Sequence, residues 1–408
     1  MRKSRPLSVM LTVLASACAV SCAAVLGFER LSTEDGFVIP DSGSEAGDGA
    51  PIQTTDAATS DAGPGACAEL GYPAKPADAA AGGGPPILVA VKLLDFGVDT
   101  DGGAGDVPGF NLDRACSVDL ASSTCKTNVL GPTFDRHAKD KNASGLDNAS
   151  YSLIKYINSL SDILTAATIN EGIADGKYGA VVQLKDWSGA ADDDDVQVEI
   201  FPAIGRAPRE NPSAGFGPDD RWILDTRFQV AVNVEASSVK ADQAWVTGNE
   251  LVARFSNVTF PIIIDQDPKP FDIHLTDVIL TATLSTANGM TSLSAGTVAG
   301  RWKTSDFLGQ VRTIFVKDAN GLENTVLCEP DAIARLLYGS VKKEVCDARD
   351  IRSDSNDTAK LGCDGVSAAM RVEAYPVTNL GYFDAGPQVP PRCLVDGAIP
   401  LGDDCAPN

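Results

Sequence analysis

The feature that most constrains this chain is a set of eight cysteines spread from residue 67 to residue 405. Two further cysteines close an amino-terminal apolar segment, so the set of eight belongs to the part that folds. An even number of cysteines in an exported chain indicates disulfide bonds. The sequence leaves the complete pairing open. The disulfide candidates are Cys67, Cys116, Cys125, Cys328, Cys346, Cys363, Cys393 and Cys405.

Zinc binding is the competing use of these cysteines, and their spacing argues against it. Zinc sites need close cysteine pairs, often with histidine, and no two of these eight cysteines are that close. Among disulfides we expect Cys116–Cys125 first, because a short loop closes at a small entropic cost, and Cys393–Cys405 second. Cys328 and Cys346 flank a predicted helix about 24 Å long. That length exceeds the reach of about 7 Å between the Cα atoms of a disulfide, so these two should not pair with each other unless Gly339 folds the segment back.

Residues 1–21 have the order of a secretory signal peptide, with basic residues, an apolar run and then small residues. Ala15-Ser16-Ala17-Cys18 and Ala19-Val20-Ser21-Cys22 both resemble the bacterial lipobox, in which the cysteine is lipidated and becomes residue one. We favour Cys22, because the polar mature chain starts soon after it. The alternatives are modification of Cys18, a cleaved signal without lipid, and an uncleaved anchor over residues 7–27. All of them place the chain outside the cytoplasm. The favoured one anchors it in the cell envelope, on the outer-membrane, periplasmic or surface side.

Residues 37–86, the greater part of the segment 22–86, lack a periodic apolar pattern and are rich in Ala, Gly, Asp, Ser and Pro. This composition indicates a lipidated, disordered acidic tether. Residues 87–408 are then expected to form one globular, disulfide-containing domain, since about 320 residues can enclose a large core. The formal net charge of −22 repels nucleic acid and anionic lipid. We therefore expect no nucleic-acid partner, and contact with a membrane only through the amino-terminal lipid.

The apolar pattern of residues 87–408 predicts an α+β fold that is predominantly β. We expect an antiparallel sheet or sandwich with a few packed helices and disulfide staples. In two strand patterns the apolar alternation changes phase, near Asn257 and near Asp277, which predicts aligned bulges or bends. The strand patterns occupy residues 87–97, 180–187, 196–203, 253–260, 273–280 and 366–377.

Helical patterns are fewer. Residues 148–174 predict two helices, and a third is expected to start with Thr304 or Ser305 as its cap and Asp306 in its first turn. A fourth is predicted from residue 330 to residue 345. Its expected buried face consists of Ile333, Leu336, Leu337 and Val341.

Two acidic turns are candidates for calcium binding. DFGVDTDGGAGD places carboxylates at alternate positions beside glycines, as part of a calcium loop does, but it lacks the glutamate at position 12 of an EF-hand. WSGAADDDDV brings together four carboxylates that repel one another unless they are solvated or bind a cation. A solvated acidic turn is the alternative for both. The candidate Ca²⁺ ligands are Asp99, Asp101, Asp106, Asp192 and Asp194.

The sequence contains no recognisable catalytic motif. It lacks a G-x-S-x-G elbow, a P-loop and a dinucleotide fingerprint, and neither His137 nor His274 lies in a known motif. The chain has 55 acidic residues, so many pairs of carboxylates are available and the sequence identifies none of them as a catalytic pair. We therefore expect a non-enzymatic binding or scaffold module of the cell envelope, with a surface protein or a glycan as its partner. The alternative is a secreted, glycosidase-like hydrolase that uses carboxylates to cleave envelope or external polymers.

Eight stretches of the sequence form a set, each identified by its first residue. They are SCAAVLGFERLS (Ser21), GFNLD (Gly109), SGLDNA (Ser144), WSGAADDDDVQVEIFPA (Trp187), AWVTGNELVA (Ala244), LSAGTVAGRW (Leu293), VCDARDIRSD (Val345) and CDGVSAAMRVEA (Cys363). Together they resemble a group of uncharacterised exported lipoproteins of myxobacterial type, over most of residues 87–375. The chain departs from that group at Asp113-Arg114, where the others have Asp-Gly. The resemblance implies an exported lipoprotein and implies no particular activity.

Overall fold

Strands dominate the part of the chain that the computed structural model describes, which confirms the expected α+β, predominantly β class. These residues belong to a compact unit formed by residues 62–318 and 323–408. No helix in this described part is both long and apolar enough to cross a membrane. The predicted signal peptide and Cys22 lie outside it. The described residues are 71–77, 82–98, 107–117, 119, 122–127, 133, 139–141, 145–160, 162–209, 215–231, 235–263, 271–317, 323–330, 332–358, 360–385, 393, 398–400 and 402–405.

Eleven of the described strands form one large sheet, and β10 and β11 form a separate hairpin. The strands are β1 (Ile87–Asp95), β2 (Gly179–Lys185), β3 (Gln197–Arg206), β4 (Trp222–Asp225), β5 (Val239–Lys240), β6 (Gln243–Thr247), β7 (Glu250–Ile262), β8 (Phe271–Ala287), β9 (Met290–Lys303), β10 (Phe315–Lys317), β11 (Glu323–Val326), β12 (Gly365–Pro376) and β13 (Tyr382–Asp384). The order is β13-β4-β3-β2-β1-β12-β9-β8-β7-β6, and β5 pairs with β3 off this path. All neighbours along it are antiparallel except β13 and β4, which are parallel.

The sheet curls on itself. Although β3 and β6 are far apart in the strand order, β3 contacts both β6 and β7. The main apolar core lies on one face of this curled sheet, where helices also pack: α1 contacts β12, α2 contacts β1, and α3 contacts β8 and β9. The helices are α1 (Ser150–Leu160), α2 (Ala166–Ala174), α3 (Thr304–Val311) and α4 (Ala332–Asp347).

The predicted change of phase in β7 and β8 is confirmed. In β7 two consecutive residues, Ser256 and Asn257, are exposed, so the buried alternation restarts after them. In β8, Asp277 has a φ of 47°, and the register against β9 shifts beside it, which is a bulge. The register of β7 on β8 continues through this point, so the two strands bend together.

The two helices predicted within residues 148–174 are confirmed as α1 and α2. The predicted cap of α3 is wrong. Its N-cap is Lys303, without a side-chain hydrogen bond, and Thr304 is already helical. The Thr304 hydroxyl instead donates to the carbonyl of Asp364 at 2.8 Å, so it fixes the helix to the start of β12 rather than capping it. Asp306 lies in the first turn, as expected.

The predicted buried face of α4 is wrong at two positions. Ile333 and Leu336 are 66% and 67% exposed. The buried face of α4 packs on the main core and contacts α1 and α3. Beside that face the Tyr338 hydroxyl donates to Asp403 at 2.8 Å, and Lys342 pairs with the same carboxylate. The residues that α4 does bury are Ala334, Tyr338, Val341 and Val345.

Disulfides are confirmed, but both predicted pairings are wrong. The bonds between described cysteines are Cys125–Cys363, Cys328–Cys393 and Cys346–Cys405, and Cys116 is also disulfide-bonded. Sheet topology overrides loop length here. A bridge between Lys126 and Gly362 brings the adjacent cysteines, 238 residues apart in sequence, to a Cα separation of 5.2 Å. Cys328 and Cys346 do not pair with each other, as expected. These bonds indicate an oxidising compartment outside the cytoplasm.

Candidate functional site

The face of the sheet opposite the main core carries a second, smaller apolar cluster. Alternation puts Val252, Ile279, Ala299 and Ala369 of four neighbouring strands on this face. Loop residues cover these four sheet residues, and the sheet forms the floor on which the loops lie. The other members of the cluster are Phe110, Leu112, Trp245 and Ile351, with Tyr72 packed against it.

A polar pocket of about 380 Å³ opens beside this cluster. We call it the arginine pocket, because three guanidinium groups line it. Its floor comes from β7, β8 and β9, and its walls come from loops around residues 72, 111–114 and 355–357. The lining residues are Tyr72, Asn111, Leu112, Asp113, Arg114, Arg254, Asp277, Ile279, Arg301, Ser355 and Asp357.

Tyr72 comes from a segment that the sequence assigned to the tether. Its ring packs edge-on against Phe110, with centroids 5.6 Å apart. The indole nitrogen of Trp245 donates to the carbonyl of Pro73 at 3.3 Å. Residues 71–77 therefore lie on the sheet and form one wall of the arginine pocket.

Arg301 is the structural centre of the pocket. Its side chain is only 2% exposed, on β9, yet it has polar partners on three segments. It donates to the carbonyl of Leu112 at 2.6 Å and to the carbonyl of Arg352 at 2.8 Å. Its guanidinium also pairs with Asp357 at 2.7 Å and with Asp277 at 3.3 Å. Arg301 thus joins both covering loops to the bulge of β8.

Asn111 contributes an unused hydrogen-bond donor. Its side chain is 3% exposed, and its Oδ1 accepts the N–H of Ala115 at 3.1 Å. The amide nitrogen Nδ2 is buried and has no hydrogen-bond partner. An unpaired buried donor costs about 1–3 kcal/mol. Because Nδ2 is closed to solvent, a ligand in the pocket gains this donor when the Asn111 amide turns toward it.

Backbone strain concentrates around the same pocket. Eight non-glycine residues of the described part have a positive φ, and three of them line the arginine pocket. These are Arg114 at 61°, Asp277 at 47° and Ser355 at 56°. Such conformations cost roughly 1–3 kcal/mol each and cluster at functional sites, where the fold holds side chains in a required position.

Behind the pocket lies a group of buried aspartates. We call Asp113, Asp140, Asp147 and Asp350 the acidic cluster; all four are less than a tenth exposed. Each carboxylate holds a loop by accepting a backbone N–H. Asp147 accepts from Leu112 at 2.6 Å, Asp140 from Ser117 at 2.5 Å, Asp113 from Ala115 at 2.9 Å, and Asp350 from Ser367 at 2.8 Å.

Burial dominates the electrostatics of the acidic cluster. It raises the pKa of Asp140 and of Asp350 to about 7, and the charge of Asp113 adds to both effects. Burial, followed by the charges of the other three aspartates, raises the pKa of Asp147 well above its usual value. The pKa of Asp113 is also raised by burial. Burial lowers the pKa of Lys141, against the opposing pull of Asp350, Asp140 and Asp147.

We predict that these aspartates make the protein less stable as the pH rises. Asp140 and Asp350 have folded-state pKa values of about 7, above the unfolded value of about 3.9, so the native state binds more protons between these limits. The contribution of these two groups to the free energy of unfolding is fully present below about pH 4 and is lost as the pH rises to about 7. Each group lowers the free energy of unfolding by up to about 1.4 kcal/mol for each pH unit in this range. Urea unfolding measured from pH 4 to 8 checks it.

Asp140→Asn tests this pH dependence, because it removes the titrating carboxyl group while the asparagine oxygen can still accept the N–H of Ser117. We expect it to flatten the pH dependence, while Asp175→Asn, at an exposed carboxylate outside the acidic cluster, leaves it unchanged. A slope identical in the wild type and the Asp140→Asn variant would contradict the prediction.

The predicted calcium ligands do not meet in this site. Asp99, Asp101 and Asp106 lie outside the described residues. Asp192 accepts the N–H of Gly248 at 2.9 Å, and Asp194 lies 3.8 Å from Lys75. The described ranges contain no group of three or more His, Cys, Asp or Glu residues that could hold a metal ion. Calcium at these turns stays a prediction without a ligand set in the described part.

The motifs that carried the resemblance converge here. GFNLD supplies Asn111 and Asp113, SGLDNA supplies Asp147, and CDARDI supplies Asp350. LSAGTVAGRW and CDGVSAAM supply Arg301 and Ser367, which pair across β9 and β12. Gly109 of GFNLD has a φ of 153°, and a Cβ there would lie 2.8 Å from the carbonyl of Asp147.

Comparisons with protein-family models, with curated proteins and with solved structures give no match. The site therefore stands on its own geometry. Sequence reasoning missed Arg301 and Asn111 as site residues. One signal was present in the sequence: Arg301 is a charged residue within an apolar strand pattern interrupted by glycines. A charged side chain buried at such a position requires a partner of opposite charge or a hydrogen-bond acceptor.

Proposed function

We propose that this protein is an exported, non-enzymatic binding module that holds a small polar ligand in the arginine pocket. The observation that carries the proposal is the unpartnered amide of Asn111 in a pocket wall that also contains the buried Arg301. A few precisely placed polar groups beside an apolar floor are typical of ligand sites. The sheet, the acidic cluster and the Cys125–Cys363 bond hold these groups in place before any ligand arrives.

Lipid on Cys22 is part of this proposal. A signal-like segment that ends in a lipobox-like cysteine, followed by an acidic stretch, supports anchoring of the module to the cell envelope. Changing Cys22→Ser should move the chain from the membrane fraction to the soluble fraction. Retention at the membrane in Cys22→Ser, with release in Cys18→Ser, would assign the lipid to Cys18.

A carboxylate-dependent hydrolase is the second candidate, and one observation favours it. Asp113 and Asp357 line the same pocket in opposite environments: burial raises the pKa of Asp113, whereas Asp357 is paired with Arg301. Glycosidases separate an acid from a base in this way. However, both Asp113 oxygens are already occupied, by the N–H of Ala115 and by the hydroxyl of Thr124. A structural carboxylate explains these contacts better than a catalytic one.

The binding proposal is tested by thermal denaturation of the purified, oxidised chain with a panel of neutral sugars, acidic sugars, amino acids and short peptides. A ligand that binds only the native state raises Tm, by an amount equivalent to about 2.7 kcal/mol at one hundred times Kd. We expect such a rise in the wild type and in Arg221→Gln, which removes an exposed arginine outside the pocket. The rise should fall to about half in Arg114→Gln, because ten-fold weaker binding leaves an amount equivalent to about 1.4 kcal/mol at the same ligand concentration.

Two results would overturn the binding proposal. One is a panel in which no compound raises Tm. The other is a rise that is undiminished in both Arg114→Gln and Asn111→Leu, because such a ligand would bind elsewhere. Hydrolysis of a sugar polymer that is lost in Asp113→Asn would favour the hydrolase instead.

A further inference from the structure

The polar groups of the arginine pocket divide into those already paired within the protein and those left over. Asp357 is paired on both oxygens, by Arg301 and by the N–H of Arg352 at 2.9 Å. Oδ2 of Asp277 accepts from Arg301 and from the Ser355 hydroxyl at 2.9 Å. The acceptors of the pocket are therefore largely used internally.

The groups left over are donors. Arg114 is exposed and has no hydrogen bond or ion pair with any described residue, although its backbone is held at a φ of 61°. Arg254 is 37% exposed in its side chain, and its contact with Asp277 is long, at 3.8 Å. Nδ2 of Asn111 is the third unused donor.

The charged residues that line the pocket include two of these unused donors. Three guanidinium groups line it, against the ion-paired carboxylates of Asp277 and Asp357 and the buried carboxyl of Asp113. Three arginines against three aspartates make the pocket formally neutral, in a chain whose net charge is −22. The two charges with the weakest pairing, Arg114 and Arg254, are both cationic. Arginine presents planar donor pairs that match a carboxylate in a bidentate geometry. The ligand should therefore be an acceptor-rich anion.

We propose that the arginine pocket binds a carboxylate-bearing ligand about the size of one sugar or amino-acid residue, with Arg114 and Arg254 on the carboxylate and Asn111 donating to the same ligand. This inference rests on the proposed binding function and specifies its ligand. The size follows from the pocket volume of about 380 Å³. Two sources present this chemistry outside a cell: an acidic sugar of a polysaccharide and the carboxy terminus of a peptide.

Isothermal titration of the purified, oxidised chain tests the proposal with three probes. D-glucuronate represents the acidic sugar, N-acetylglycine represents the peptide terminus, and D-glucose is the neutral match of glucuronate. We expect at least one carboxylate to bind about ten-fold or more tightly than glucose, since charge-assisted bonds to arginine are roughly twice as strong as neutral ones. Arg114→Gln should weaken that binding about ten-fold, and Arg221→Gln should leave it unchanged.

The outcomes separate the two sources and the two proposals. Binding of glucuronate alone assigns an acidic sugar, and binding of N-acetylglycine alone assigns a chain terminus. Glucose binding as tightly as glucuronate, with loss in Arg114→Gln, would overturn the carboxylate inference and leave the binding function intact. The same holds if neither carboxylate binds but a neutral sugar of the thermal panel does. If no compound binds in the pocket, both proposals fail.

Discussion

Replacing Cys125 and Cys363 by alanine lowers the free energy of unfolding by about 4–5 kcal/mol, the largest effect expected for one of the three described disulfides. The reason is chain entropy in the unfolded state. This bond closes a segment of 238 residues, whereas Cys328–Cys393 and Cys346–Cys405 close segments of 65 and 59. Urea unfolding of the three double-alanine variants compares them directly.

The position of the Cys125–Cys363 bond adds a second expectation. Cys125 lies 3.2 Å from the carbonyl of Asp350, in the acidic cluster, and Asp113 is held by Thr124 next to it. Loss of this bond should loosen the walls of the arginine pocket and abolish ligand stabilisation. The Cys346→Ala and Cys405→Ala pair is the matched control, because that bond fastens α4 to the carboxy terminus. Equal stability losses in both variants, with equal ligand responses, would contradict the account.

Arg301→Met is expected to cost about 3–5 kcal/mol, because removing one partner of a buried ion pair leaves the other charge unpaired. Methionine keeps most of the length and packing of the side chain. It leaves Asp357 without its cation and the carbonyls of Leu112 and Arg352 without their donor. Both covering loops then lose their link to β9. Urea unfolding at neutral pH measures the change.

Arg254→Met is the matched control for Arg301→Met. It removes a guanidinium of the same pocket, but one that is 37% exposed with a single partner at 3.8 Å. Exposed pairs contribute about 0–1 kcal/mol, so its cost in stability should be small. Similar losses in Arg254→Met and Arg301→Met would show that Arg301 is not the structural link between the loops and the sheet.

The strand pattern was predictable from the sequence because it is local. Alternation of buried and exposed residues follows from the geometry of a strand. The phase change at Asp277 identified the bulge that now lines the arginine pocket. The face of α4 was less predictable. Ile333 and Leu336 follow a helical period as well as Ala334 and Val341 do. Tertiary contacts decide which face is buried, namely those with α1, α3 and the carboxy-terminal segment at Asp403.

Disulfide pairing and the pocket were not predictable, because both depend on which distant segments the sheet brings together. Cys125 meets Cys363 because Lys126 bridges to Gly362, a pairing with no local signal. The arginine pocket likewise draws on segments from residue 72 to residue 357. What the sequence did contain was the set of short motifs GFNLD, SGLDNA, AGRW and CDARDI. Their side chains converge on one site that no single motif defines.

Whether the arginine pocket is a ligand site can be tested directly by side-chain NMR of the arginine Nε–H and asparagine amide groups. The oxidised chain is titrated with D-glucuronate and with N-acetylglycine, and Arg114→Gln and Asn111→Leu assign the signals. We expect one of these probes to shift the resonances of Arg114, Arg254 and Asn111, while those of Arg221 and Arg227 stay fixed. Unchanged resonances for all three pocket residues, at probe concentrations that saturate any binding seen by calorimetry, would contradict this expectation.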